Sequence, residues 1–135
     1  MLWLLKEEPS NYPYDAFVKD GGTTWSGVRN PLAQKHLRSM RKGDQAFYYH
    51  TGDEKSVIGI AKAAGHAYPD PGDESGKAHV VELVPVRKLK RPVTLAEIKA
   101  DRRFKDFALT YLPRLSVMPV SEAEWKAILE LADRT

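Results

Sequence analysis

The sequence has no cysteine, which removes disulfides, thiolate zinc sites and thiol nucleophiles together. It also lacks a long apolar run. The first such stretch, Leu2 to Leu5, meets Lys6, Glu7 and Glu8 at once, far short of a signal-peptide core or a membrane span. A soluble, unprocessed protein of the cytoplasm is therefore expected, monomeric and with no membrane partner. No repeat, linker or low-complexity segment divides the chain, so residues 1–135 are expected to form one domain. The motifs of the common enzyme classes are missing too. Ser10, Ser26 and Ser116 stand in no G-x-S-x-G elbow, and neither H-E-x-x-H nor a glycine-rich phosphate loop occurs. His36, His50, His66 and His79 are scattered without metal-ligand spacing. No catalytic residue, metal or cofactor is expected.

What is present suits a folded chain with a polyanionic partner. At 42% hydrophobic and 29% charged residues it can bury a core. A net charge of +3 attracts polyanions only where it is clustered. Arg29, Lys35, Arg38, Arg41 and Lys42 form one cluster, and Arg87, Lys88, Lys90 and Arg91 a second. The acids gather elsewhere, around Asp70 to Glu74 and Glu122 to Glu130.

Patterning predicts an α+β fold. Leu2 to Leu5 is a short buried strand ended by the turn-rich stretch Glu8 to Pro13, and Asp15 to Asp20 a brief helix closed by Gly21 and Gly22. Asn30-Pro31 starts a helix running to about Met40, since the Asn side chain caps free amides and proline at the first position loses no bond. Leu32, Ala33, Leu37 and Met40 share its apolar side, and Lys35, Arg38 and Lys42 another. Gln45 to His50 and Val57 to Ala64 are the strands of a hairpin, Lys77 to Leu89 is a third long strand, and Leu115 to Val120 a short one. Thr94 with Glu97 and Ser121 with Glu124 match capping boxes, and Trp125, Ile128, Leu129 and Ala132 have the spacing of a packed helix face. Strands in the middle with helices around them predict a strongly curved sheet or small barrel.

Two segments carry candidate function. In Thr24 to Asn30 a tryptophan, a glycine and an arginine fall just before a helix N-terminus. Free amides and the helix dipole attract phosphate there, arginine grips it, and tryptophan offers a face to a base. Core burial of Trp25, with Arg29 tying down loop carbonyls, is the structural alternative. Placed in a loop, Trp25 is expected to be dispensable for folding. In Phe47-Tyr48-Tyr49-His50 alternate members point to opposite faces, so one pair belongs to the core and the other faces a ligand. Lys35 to Lys42 is either a phosphate-contacting stripe or a solvated face.

The order of motifs resembles the EVE domain family. The matching stretches are Trp3-Leu4-Leu5-Lys6 leading to Glu8-Pro9, Trp25-Ser26-Gly27-Val28-Arg29-Asn30, Met40 to Asp44, Tyr48-Tyr49-His50, Gly59-Ile60-Ala61, Ala67-Tyr68-Pro69-Asp70, Arg91 to Leu95 and Arg114-Leu115-Ser116-Val117. The resemblance implies a PUA-like fold, a curved β-barrel with surrounding helices, and a reader of modified bases in DNA or RNA. Carried over residue by residue, it implies a base pocket of Lys6, Ser10, Trp25, Gly27, Val28, Arg29, Tyr49, His50, Tyr68, Arg114 and Ser116. Phosphate contacts are expected from Arg29, Lys35, Arg38, Arg41 and Lys42. The chain departs from the family pattern at Glu7, where Ser or Thr is common, at Thr51 and Met118, and at Ala78-His79, which replaces a tryptophan. The expected function is a non-catalytic nucleic-acid reader holding one base. Its rivals are a metal-dependent nuclease or RNA-processing hydrolase, using His50 with the acidic loop, and a regulatory module that binds a free nucleotide.

Overall fold

The computed structural model describes residues 1–134. Strand β1 (Leu2–Glu7) runs parallel to β3 (Gln45–His50) on one side and antiparallel to β7 (Val117–Val120) on the other. Covered on both faces, it buries Trp3, Leu4 and Leu5 in succession, which is why its sequence is an apolar run rather than an alternation. Strand β3 forms the expected hairpin with β4 (Ser56–Ala63), and β4 pairs with the 16-residue β6 (His79–Thr94). Two short strands, β2 (Thr23–Trp25) and β5 (Tyr68–Pro69), complete the sheet by pairing with β6. The strand order is β2-β6-β4-β3-β1-β7, with β5 also on β6. Register shifts at Val57/Gly59 and Ile60/Ala61 curl the sheet into a half-barrel. Helix α2 (Pro31–Arg38) packs against both β6 and β7 and so spans the open side.

The curved sheet with helices outside it is the expected α+β architecture, with local differences. Strand β6 continues past Leu89 to Thr94, and β7 begins at Val117 rather than Leu115. Helix α2 stops at Arg38, so Met40 packs into the core from beyond its end. Leu32 is exposed, and Gln34 takes the buried place beside Ala33 and Leu37. The stretch around Trp25, expected as loop, is strand β2. Helix caps follow their sequence signatures: Asn30 accepts from the amides of Leu32 and Ala33, and both capping boxes close. The Glu97 carboxylate of one box also takes a two-pronged bond from Arg91, which holds its pKa down at about 2.

The sheet has two covered faces, and the aromatic run of β3 serves both. Phe47 stacks on Trp125 of the last helix (Glu122–Asp133) with ring centroids 3.8 Å apart. Tyr48 turns the other way, into a cluster with Tyr14, Phe17, Trp25 and His50. All four residues from Phe47 to His50 are buried, so the expected division into a core pair and a ligand-facing pair is corrected: both pairs pack into the core, and Tyr49 also lines a cavity. Helices close over both sides of the strand.

Helix α1 (Tyr14–Asp20) is seated by Tyr14, whose hydroxyl donates to the Ile60 carbonyl at 2.7 Å and whose ring lies on Gly59. A Cβ at position 59 would sit 2.5 Å from the ring carbon Cζ. Gly59→Ala is therefore expected to lower unfolding free energy by about 1–3 kcal/mol through overpacking. Gly65→Ala, with nothing within 4 Å, should change it by less than about 0.5 kcal/mol. Urea unfolding of the two variants checks this, and equal midpoints would contradict the ring-on-glycine packing.

Candidate nucleic-acid interface

The end of β1 and the turn after it face strand β2 across a polar cavity of about 320 Å³, lined by Glu7, Asn11, Tyr12, Thr23, Thr24, Trp25 and Ser26. The turn is set by the Glu8 carbonyl, which accepts from the amides of Asn11 and Tyr12. Glu7 Oε1 accepts from the Glu8 amide at 2.8 Å and from Asn11 Nδ2 at 3.2 Å. The Thr24 hydroxyl donates to Glu82 and the Tyr12 hydroxyl to Asp20. Burial, then the bond to Asp20, raises the Tyr12 pKa. Trp25 is 6% exposed and meets the Tyr48 ring edge-on at 5.4 Å. It is a core residue that also walls the cavity, not the loop residue expected from sequence.

Following Trp25 along the chain, Gly27, Val28 and Arg29 enter the wall of a larger cavity of about 830 Å³, which Arg38, Asp73 and Lys77 also line. Gly27 has φ of 75°, a left-handed conformation that glycine adopts without strain. Gln34 pins this wall: its amide nitrogen donates to the carbonyls of Val28 and His79, and its oxygen accepts from the His79 amide. The acidic loop beside it spends its carboxylates internally. Asp73 accepts from the amides of Ser75 and Ala78 and from the Ser75 hydroxyl, and the Ala78 amide chiefly lowers its pKa.

Ion pairing separates the two basic clusters. Lys88 pairs with Asp15, Lys90 with Asp133 and Arg91 with Glu97. Among the described residues Arg29, Lys35, Arg38, Arg41 and Lys42 enter no ion pair. All five are exposed. Arg41 and Lys42 sit on a turn tied by the bond from the Arg41 amide to Asp44, which also accepts from the Trp3 indole. The first cluster is thus available to phosphate, and most of the second is engaged within the fold.

The structure distributes the sequence-predicted pocket rather than gathering it. Trp25 walls the polar cavity, while Gly27, Val28 and Arg29 wall the cationic one. Lys6 and Tyr49 lie on the opposite face of the sheet, since Lys6 alternates with Glu7 and Tyr49 with Tyr48. They line a third cavity of about 330 Å³ with Lys55, Lys99, Leu109 and Tyr111. Lys6 Nζ donates to the Pro113 carbonyl, and burial lowers its pKa; burial raises that of Tyr49 to about 12. His50 is buried and occupied at both nitrogens: Nε2 accepts from the Tyr14 amide, so Nδ1 carries the proton and donates to Glu54. That leaves it no lone pair for base catalysis. Tyr68 is exposed, with its hydroxyl donating to Glu82, which raises its pKa. Ser10, Arg114 and Ser116 line none of the three cavities, though the Ser116 carbonyl fixes the Lys6 amide.

Sequence reasoning passed over Asn11, Tyr12, Gln34 and Lys77, and singled out Glu7 only as a departure from the family pattern. Gln34 had a signal, because it shares the helix stripe of Ala33 and Leu37 and a polar residue there must find partners. The turn residues had none, because what places them opposite β2 is a contact between distant segments.

The chain as a whole has relatives. The EVE domain model matches residues 1–131, and the chain belongs to that family. Rpa0253 of Rhodopseudomonas palustris is 47% identical, with a TM-score of 0.92 over 97% of this chain and 92% of that one. Human THYN1, solved in complex with 5-methylcytosine-containing DNA, is 28% identical with a TM-score of 0.92 over 99% of this chain and 98% of that one. Thymocyte nuclear protein 1 of Gallus gallus is 32% identical over 165 aligned positions, covering 97% of this chain and 68% of the relative. The fold is accordingly the PUA-like one that the motif order implied.

The position of Trp25 reverses one sequence expectation. Trp25→Ala should cost about 3–5 kcal/mol of stability, as other buried tryptophan truncations do. Ser26→Ala, at the exposed neighbouring position, should cost less than about 0.5 kcal/mol. Thermal and urea unfolding decide it. A tryptophan variant as stable as wild type would return Trp25 to the role of a loop residue.

Proposed function

We propose that this chain is a non-catalytic reader of DNA or RNA that lodges one base, a modified one, in the polar cavity and lays the flanking phosphates over Arg29, Arg38 and the exposed basic face behind them. The observation that carries the reading is the continuity of Trp25 to Arg29, which passes from the wall of the polar cavity into the wall of the cationic one. The base is assigned to the first wall and its phosphate to the second, which follow one another along the chain. Both volumes lie within the range of about 300–1,000 Å³ common to ligand sites. The human relative's complex with 5-methylcytosine-containing DNA supports a nucleic-acid partner.

The physical division of labour follows. Phosphate contacts with Arg29, Lys35, Arg38, Arg41 and Lys42 supply affinity without sequence preference. The cavity supplies choice, because buried polar groups penalise a base that leaves them unpaired. A methyl group filling apolar space adds about 0.8 kcal/mol, a several-fold preference. Extracting a base from a duplex costs a few kcal/mol, so single strands should bind more tightly.

Neutralising Arg29 and Arg38 together tests the phosphate half. The double glutamine variant should flatten the salt dependence of single-strand binding by about 1.4 in log–log slope, the equivalent of two contacts. The Lys88→Gln/Lys90→Gln variant should leave the slope unchanged, because those ammonium groups already pair with Asp15 and Asp133. An unchanged slope in the arginine variant would mean the face is only solvated.

A further inference from the structure

The polar cavity has a chemical sign of its own. Glu7 is half-buried, yet among the described residues it enters no ion pair. Its Oε1 accepts from Glu8 and Asn11, while Oε2 receives no hydrogen bond within the described chain. The strand does not need this side chain for its register, since the backbone carbonyl of Glu7 takes the Thr51 amide. The free oxygen is not buried, so it stands open to a donor brought from outside the chain.

The neighbouring walls reinforce it. Thr24 spends its hydroxyl proton on Glu82 and Tyr12 spends its own on Asp20, so both oxygens offer lone pairs. Asn11 spends an amide proton on Glu7. The lining is therefore rich in acceptors, with the carboxylates of Asp20 and Glu82 hydrogen-bonded directly to it. The second cavity carries Arg29, Arg38 and Lys77 beside Asp70 and Asp73, whose carboxylates accept from the amides of Gly72 and Ala78. A ligand bridging the two needs donors at one end and negative charge at the other.

We propose that Glu7 is the specificity-determining residue of this cavity: its carboxylate selects a base that presents an exocyclic amino group, such as cytosine or adenine, over a keto pyrimidine. The inference rests on the base-reading function proposed above. An ionised carboxylate accepts and cannot donate, and it pairs with the amino group of cytosine as acidic side chains do at base edges. In thymine or uracil a carbonyl oxygen replaces that group, so lone pairs face lone pairs. Sites that hydrogen-bond an N–H reject analogues lacking it by up to about 10⁴-fold. Half-exposure of Glu7 reduces this, and a preference of about tenfold or more is expected.

5-Methylcytosine and thymine test it cleanly, since both carry the 5-methyl group and they differ in the amino-to-carbonyl exchange with its ring proton. Oligothymidylate carrying one central 5-methylcytosine is titrated into the full chain beside oligothymidylate alone, at one salt concentration. Wild type should favour the first by about tenfold or more. Glu7→Gln, whose amide can donate to a carbonyl, should bring the two within about threefold, chiefly by strengthening the thymine strand. A merely structural role would weaken both strands alike and keep the ratio. Equal, measurable wild-type affinities would overturn the role of Glu7 and leave base reading standing. Binding of neither strand would overturn base reading and this inference with it.

Discussion

The ring of Tyr48 holds the two walls of the polar cavity together. Phe17 stacks on it at 5.4 Å, and Tyr14 and Trp25 meet it edge-on. Its hydroxyl donates to the Tyr12 carbonyl, and burial, with Glu7 nearby, raises its pKa. The turn from Glu8 to Pro13, helix α1 and strand β2 follow one another along the chain, and all are referred to this residue of the central strand β3, which lies far from them in sequence. A fully buried ring in T-shaped and stacked contacts has few alternative arrangements, so the cavity is preformed rather than assembled by its ligand. The same dependence explains why Trp25 belongs to fold and site at once.

Around that anchor the molecule keeps charge in different states of satisfaction. Lys88, Lys90 and Arg91 on the far strand are paired with acids. Among the described residues the cations on and after α2, and the carboxylate of Glu7, enter no ion pair. Exposed pairs contribute little stability, about 0–1 kcal/mol each, so the pattern matters less for folding than for what the surface can attract. A basic face beside an acceptor-lined cavity orients a nucleotide by charge before any close contact forms.

Much of the fold was legible because its signals are local. The Asn30-Pro31 start, both capping boxes and the apolar run of β1 each depend on neighbours in sequence, and each appears where those neighbours predict. Strand β2 was not legible: three residues give no periodicity, and only pairing with Val81 to Leu83 makes them a strand. The site was legible in part. Trp25 to Arg29 stood out by composition and lies at both cavities, whereas Glu7 and Lys6 could not be assigned to faces until the register of β1 was known. Sequence similarity led to one pocket containing Lys6, Tyr49 and Trp25, but strand alternation puts the first two behind the sheet.

The central claim is that nucleic acid meets the face bearing Trp25 to Arg29. Amide and indole NMR shifts during titration with a single-stranded oligonucleotide locate the contact residue by residue. The account predicts shifts centred on residues 23–29 and on Arg38, with Lys6, Tyr49, Thr110 and Tyr111 unmoved. Shifts centred on that second group, with the Trp25 indole silent, would contradict it.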